Sequence, residues 1–225
     1  MRLTRHAFTL IELLVVVAII AILAGISLAV IPMVRHQAKD TKCNSNLHQV
    51  GLALAVYQQD NEGGFPYNLN NIKGPDGVLG EGADAVLLCP HDESKGQSSS
   101  FNRPPSWGDL SELFTPGCSY LFEASSHLLT DEEKGWTFAD GTTWGSQGDT
   151  WAKAKQYQLN FGNSPSPSAF PASAFPLVRC FWHRTWGDDD HRAASPKVLN
   201  LAWDLSIYWS IPFWEHQANP SIPMP

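Results

Sequence analysis

The feature that most constrains this chain is a run of 19 uncharged residues, Leu13 to Ile31, in which nearly every side chain is aliphatic. As an α-helix rising about 1.5 Å per residue, the run is about 28 Å long, which matches the hydrocarbon thickness of a bilayer. Arg2 and Arg5 precede the run, and basic residues favour the cytoplasmic side of a membrane segment. The sequence therefore predicts a single membrane span, with the rest of the chain outside the cytoplasm.

Three interpretations of this N-terminus are open, and Glu12 distinguishes them. A cleaved secretory signal could use the small-residue pattern at Ser27–Ala29, and a plain anchor needs only the apolar run. Neither gains from a carboxylate at the edge of the membrane, which costs about 2.5–3.5 kcal/mol if carried to the centre. If the chain is cut before Phe8, the new α-amino group is a cation at the depth of Glu12. The amine of one subunit can then pair with Glu12 of its neighbour, which favours the third interpretation, an assembling subunit.

The residues from Phe8 to Glu12, followed by the long aliphatic run, resemble the class III signal of type IV prepilins and type II secretion pseudopilins. The resemblance implies that a prepilin peptidase cuts between Ala7 and Phe8 and methylates the amine of Phe8. It also implies that Glu12 is the assembly glutamate and that the partners are other pilin or pseudopilin subunits. The family usually has Gly before the cut, where this chain has Ala7.

A narrower resemblance covers roughly residues 5–66 and is carried by the stretches 43–57, 60–61 and 64–66. These are similar to a large group of pseudopilin-like proteins of the H-x9-DG type found in planctomycete-like bacteria. The resemblance implies a structural subunit of a pilus-like filament or a secretion pseudopilus.

The helical pattern continues beyond the membrane run, with apolar positions from Val34 to Tyr57 at three- and four-residue steps. Gly63 and Gly64 then supply a stop. We therefore predict a leader at 1–7, a membrane and assembly half-helix at 8–34, an amphipathic half-helix at 35–62, and an extracytoplasmic body at 63–225. Pro32 should kink the helix, because proline removes a backbone hydrogen bond. In pilin filaments the matching stretch, here Gly25 to Pro32, can unwind on assembly.

The sequence pattern of residues 63–225 predicts an α+β, pilin-like fold. In this fold a small antiparallel sheet with long loops packs on the C-terminal half of the long helix. Strand patterns lie at 118–122 and 177–182, a short helix at 150–159, and a hairpin at 197–211. The hairpin is predicted to turn at Asp204–Ser206, although Leu205 is a poorer turn residue than Gly.

Four cysteines, Cys43, Cys89, Cys118 and Cys180, occur in a part of the chain expected outside the cytoplasm. An even number in an oxidising compartment favours two disulfides, and four cysteines allow three pairings. Of these we favour Cys43–Cys89 and Cys118–Cys180. Zinc is disfavoured because the sequence has no CxxC or HxxxH spacing.

A second group of candidate ligands is the run His183, Asp188, Asp189, Asp190 and His191. Oxygen-rich loops bind Ca²⁺, and major pseudopilins often carry calcium in a C-terminal loop. Arg184 and Arg192 flank the run, so a solvated loop with internal ion pairs is the favoured interpretation, and no cofactor is expected.

All nine tryptophans lie between Trp107 and Trp214. They favour the core of a domain poor in aliphatic residues. The alternative is an aromatic groove in a membrane-tethered module that binds a glycan or peptide.

Residues 43–225 carry a net charge of −10 against +3 for residues 1–42, which argues against nucleic acid as a partner. No catalytic or nucleotide-binding motif stands out, so we expect no enzyme.

Overall fold

The structure, a computed structural model, describes residues 10–73, 78–80, 82–97, 115–138, 140–162, 169–183, 198–212 and 214–218. The chain divides into two compact units, Met1–Thr41 and Lys42–Pro225. The boundaries predicted from the sequence at 7, 34 and 62 stay predictions.

Helix α1, Leu10–Asp60, is the longest element and is assigned as helix through Pro32. It ends where the sequence predicts, because Gly63 adopts a φ of 82° and donates its N–H to the Gln58 carbonyl at 2.8 Å. Pro32 therefore does not end the helix, while the kink and the unwinding of Gly25–Pro32 stay predictions.

The body contains a four-stranded antiparallel sheet in the order β1-β2-β3-β4 within the described residues. This confirms the predicted α+β, pilin-like fold of a long helix followed by a small antiparallel sheet. The strands are β1 Leu121–Phe122, β2 Pro176–Cys180, β3 Val198–Ala202 and β4 Ile207–Ser210. The helices after α1 are α2 Ala83–Val86, α3 Asp131–Lys134, α4 Trp144–Gln147, α5 Trp151–Phe161 and α6 Trp214–Ala218. Short 3-10 helices lie at Leu69–Ile72 and Ala172–Ala174.

The body half of α1 packs on this sheet through the face that the apolar spacing predicts. Leu47, Val50 and Leu54 are fully buried in the main core with residues of β2 and β3. A methyl group added at Gly51 would lie 3.1 Å from both terminal carbons of Leu201. A small residue at this position therefore lets the helix approach β3 closely.

The β3–β4 hairpin turns at the predicted residues with a strained backbone. Leu205 has a φ of 66°, in the left-handed region that side chains other than Gly rarely adopt. The Asp204 carboxylate accepts hydrogen bonds from the N–H of Ser206 at 3.0 Å and from its hydroxyl at 2.6 Å. Leu205 packs partly against the main core, so burial of its side chain offsets the backbone strain.

Two smaller cores are rich in aromatic residues. One brings Phe138, Trp144 and Trp151 together between α4 and α5, and the other contains Phe175 and Trp214. The three tryptophans named here are at most 6 % exposed, which favours the core role over a binding groove for them. Trp107 and Trp186 lie outside the described residues.

A buried ion triad joins β1, α5 and β2. The Glu123 carboxylate, next to β1, lies 3.3 Å from the Lys155 ammonium and 3.2 Å from the Arg179 guanidinium. Arg179 also donates to the Asn200 side-chain carbonyl and to the Pro212 backbone carbonyl. Burial alone would raise the pKa of Glu123, but Lys155 and Arg179 outweigh it and hold the pKa below its ordinary value of 4.5.

Removing the charge of Glu123 should destabilise the protein strongly. Glu123→Gln removes the anion in direct contact with both buried cations, and we expect a loss of about 3–5 kcal/mol in the free energy of unfolding. Urea unfolding of the full chain in detergent measures this. The control Glu132→Gln removes an exposed carboxylate and should change stability by less than about 0.5 kcal/mol.

The same triad predicts a pH dependence. Because the folded-state pKa of Glu123 is depressed, its stabilising contribution is present above the unfolded-state pKa and is lost as the pH falls through the folded value. Stability of the wild type should therefore fall in acid below about pH 4.5, and the Glu123→Gln variant should lose that component of the slope. Equal slopes for the two proteins would contradict this role of the triad.

At Leu205 the glycine variant should be more stable than the alanine variant, which is the reverse of the usual order of stability. Both Leu205→Ala and Leu205→Gly lose the side-chain packing, but only Gly relieves the left-handed backbone. We expect the Gly variant to be the more stable of the two by about 1 kcal/mol in urea unfolding. Leu128 is an exposed leucine outside the left-handed region, so there the Ala variant should match or exceed the Gly variant. The same order at both positions would contradict the strain at Leu205.

Candidate functional site

The first candidate site is the N-terminal part of α1. Its residues Leu10–Leu28 form the one described helix that is long and apolar enough to cross a membrane, with a mean hydropathy of 2.8 and none of its surface buried. Side chains such as Ile11, Leu14 and Ile22 are more than 60 % exposed. A continuous apolar surface of this kind is stable against lipid or against other apolar helices rather than in water.

Glu12 lies near the N-terminal end of the described part of α1, directly before the apolar run. Ala7 and Phe8, the predicted cleavage residues, lie outside the described residues. The roles of these three residues in processing and assembly stay predictions at this point.

The second candidate site is a buried cluster of three thiols and one imidazole in the body. One ligand atom from each of Cys43, Cys89, Cys180 and His183 lies within 4.8 Å of each of the others. The Cys43 and Cys180 sulfurs are 3.7 Å apart, and the Cys89 sulfur is 3.8 Å from His183 Nε2. The three cysteines are at most 2 % exposed, and His183 is half-buried. We refer to these four residues as the Cys3His cluster.

Each member of the Cys3His cluster is held by a different part of the fold. Cys43 lies on the buried face of α1, and Cys180 is the last residue of β2, paired with Leu199 of β3. His183 follows three residues later, with its ring in edge contact with those of His91 and Trp209. The ring centroids are 4.7 and 5.1 Å apart, respectively.

The turn that carries Cys89 is fixed from two sides. Asn46 of α1 donates to the carbonyls of Ala85 and Leu88, at 3.2 and 2.9 Å. On the other side, the Asp92 carboxylate accepts hydrogen bonds from the hydroxyls of Ser94 and Ser119 and from the N–H groups of Ser94 and Gly96. The backbone on both sides of Cys89 is therefore held by hydrogen bonds.

The electrostatics of the Cys3His cluster favour one thiolate. Hydrogen bonds from the thiols of Cys180 and Cys43, together with His183, hold the pKa of Cys89 well below its ordinary range. Burial raises the pKa of Cys180 well above its ordinary range. The His91 backbone N–H also donates to the Cys89 sulfur at 3.5 Å, and the Tyr120 hydroxyl lies 3.9 Å from the Cys43 sulfur. These polar groups stabilise negative charge on sulfur.

The predicted disulfides Cys43–Cys89 and Cys118–Cys180 are wrong, because all four cysteines are free thiols. A disulfide needs two sulfurs about 2.05 Å apart, whereas Cys43, Cys89 and Cys180 converge as a group of three around His183. Cys118 belongs to none of these contacts. Its sulfur is held by the backbone of Tyr120, and burial raises its pKa to about 12.

The Cys3His cluster is not visible as a sequence motif, because Cys43 and Cys89 are each distant in the chain from Cys180 and His183. The cluster does have one local signal, the pair Cys180 and His183, separated by two residues. A search limited to CxxC and HxxxH does not find it. Of the predicted calcium ligands only His183 is described, and it faces Cys89; Asp188, Asp189, Asp190 and His191 lie outside the described residues.

Residues 2–28 match the family described as the prokaryotic N-terminal methylation motif. The N-terminus is therefore a prepilin-type cleavage and methylation signal, and the chain is pilin-like. Such a signal on a single apolar N-terminal helix is consistent with membrane anchoring before assembly. No curated protein and no solved structure matches the chain.

Proposed function

We propose that this chain is a structural, non-enzymatic subunit of a type IV pilus-like filament or a type II secretion pseudopilus. A prepilin peptidase removes residues 1–7 and methylates the new amine of Phe8. The subunit waits in the inner membrane with its body on the periplasmic or extracellular side, and it enters a filament through α1. The observation that carries the proposal is the methylation motif at residues 2–28, coincident with a membrane-length helix whose surface is entirely exposed.

The physical argument for assembly rests on the exposed stretch Leu10–Leu28. Lipid covers this surface while the subunit is in the membrane. On leaving the membrane the stretch needs another apolar surface, and the same helix of neighbouring subunits supplies one. A bundle of these helices buries the surface without any change in the body.

Glu12 would set the register of this bundle. A carboxylate at membrane depth is stabilised by a cation at the same depth, and the methylated amine of Phe8 in a neighbouring subunit would supply that cation. Pairing the two across subunits, instead of within one chain, staggers adjacent helices by a fixed step. Loss of either charge would leave the other in an apolar environment.

Intact mass and N-terminal sequencing of the chain from its native membrane test processing. Removal of residues 1–7 from the 225-residue chain leaves 218 residues that begin with methylated Phe8. An uncleaved Met1 would instead support a membrane-tethered binding module. A start after Ala29 would indicate a secreted protein and would contradict both.

Assembly is tested separately with Glu12 variants. Glu12→Gln and Glu12→Ala should still be cleaved, because the scissile bond is unchanged, but should be lost from the sheared filament fraction. The control Glu62→Gln removes an exposed carboxylate at the other end of the helix and should assemble like the wild type. Filaments of normal yield from the Glu12 variants would overturn the role of this residue.

A further inference from the structure

The geometry of the body points to a function that the N-terminal motif does not cover. We propose that Cys43, Cys89, Cys180 and His183 bind one Zn²⁺ ion in a closed, structural site. The proposal is independent of the processing at Phe8, because all four ligands lie in the unit Lys42–Pro225.

The distances fit one tetrahedral ion. With Zn–S bonds of about 2.3 Å, two sulfurs of a tetrahedral site lie about 3.8 Å apart, and a sulfur and a nitrogen lie slightly closer. The Cys43 and Cys180 sulfurs are 3.7 Å apart, and Cys89 Sγ is 3.8 Å from His183 Nε2. All members lie within 4.8 Å of one another. Two of the pairs match the tetrahedral spacing and the others exceed it by at most about 1 Å, so small side-chain adjustments bring all four donors to one ion.

The donor set selects the kind of metal. Three sulfurs and an imidazole suit Zn²⁺, whereas Ca²⁺ and Mg²⁺ prefer oxygen ligands. Four protein donors fill the tetrahedron, so no position is left for a water or a substrate, which is the pattern of structural zinc sites. Binding releases the protons of those thiols that are still protonated.

The groups around the Cys3His cluster would stabilise the negative charge of thiolates that bind the metal. Three thiolates and a neutral imidazole around Zn²⁺ carry a net charge of −1. The His91 N–H directed at Cys89 and the Tyr120 hydroxyl beside Cys43 offset this charge. Both groups belong to the buried or half-buried part of the body, where hydrogen bonds to charged sulfur are least weakened by water.

A disulfide is a poorer use of the same residues. Any disulfide within the cluster uses two of the three cysteines and leaves the third thiol buried beside His183. Such a bond would also need two sulfurs to move together by more than 1 Å from their 3.7 Å separation. Zinc uses all four groups in place.

The proposed ion would join segments that are distant in the chain. Cys43 and Cys180 are separated by 137 positions, and Cys89 and His183 by 94. The ion therefore fastens the body half of α1 to the Cys89 turn and to the end of β2. Cross-links that close long loops restrict the unfolded chain most, so the metal should matter for the stability of the body.

The test uses the full chain, purified in detergent, equilibrated with Zn²⁺ alone and freed of loose metal by gel filtration. Elemental analysis should find about one zinc per chain in the wild type. Cys89→Ser and Cys180→Ser should each reduce bound zinc by at least about tenfold. The matched control Cys118→Ser removes a buried thiol outside the cluster and should bind zinc like the wild type.

A second measurement needs no variant and so remains informative if a ligand variant fails to fold. Co²⁺ added to the metal-free wild type should give the sulfur-to-metal charge-transfer and visible bands of a tetrahedral thiolate site, and Zn²⁺ should displace them. Chelation should lower the thermal midpoint by about 10 °C or more.

Three results would overturn the proposal. The wild type could bind no stoichiometric zinc while all four thiols react with an alkylating reagent in denaturant. Mass analysis without reductant could show a disulfide among Cys43, Cys89 and Cys180. Zinc could also be lost equally from the Cys118→Ser control and from the ligand variants, which would indicate a general effect of removing buried thiols.

Discussion

The body depends on the packing of one helical stripe, the buried face of α1 from Cys43 onward. Cys43, Leu47, Val50 and Leu54 recur at three- and four-residue steps and are fully buried in the main core. The sheet, the α2 region and the Cys89 turn all pack around this stripe. A side chain at position 51 would crowd Leu201 of β3, so Gly51 lets the helix pack closely on this strand.

The two parts of α1 are suited to different surroundings. From Leu10 to Leu28 every described side chain is exposed and nearly all are aliphatic, so this part is suited to lipid or to a bundle of like helices. From Cys43 the helix is amphipathic and its apolar face is occupied within the same chain. A change in the surroundings of the first part therefore need not disturb the core around the second.

The Cys3His cluster and the Glu123 triad both use polar groups inside the body, but they differ in how charge is balanced. In the triad, two cations and one anion from β1, α5 and β2 neutralise each other in part, with carbonyl groups of Asn200 and Pro212 completing the hydrogen bonds of Arg179. The cluster contains three thiols that can become anions and one imidazole, and the proposed Zn²⁺ would balance the charge of the thiolates. Both sites tie β2 to other elements, one at Arg179 and the other at Cys180.

The sequence by itself determined the features that depend on neighbouring residues. The N-terminal signal, the membrane-length run, the end of α1 after Asp60, the hairpin at Leu205 and α5 all follow from local composition and periodicity. Only the tertiary structure decided which cysteines meet, because the contacts among Cys43, Cys89 and Cys180 form between elements far apart in the chain. Counting cysteines and assuming an oxidising compartment favoured two pairs, whereas packing of α1 on β2 brings three thiols and His183 to one point and leaves Cys118 elsewhere. The buried triad was likewise hidden, since nothing local to Glu123 indicates that Lys155 and Arg179 will face it.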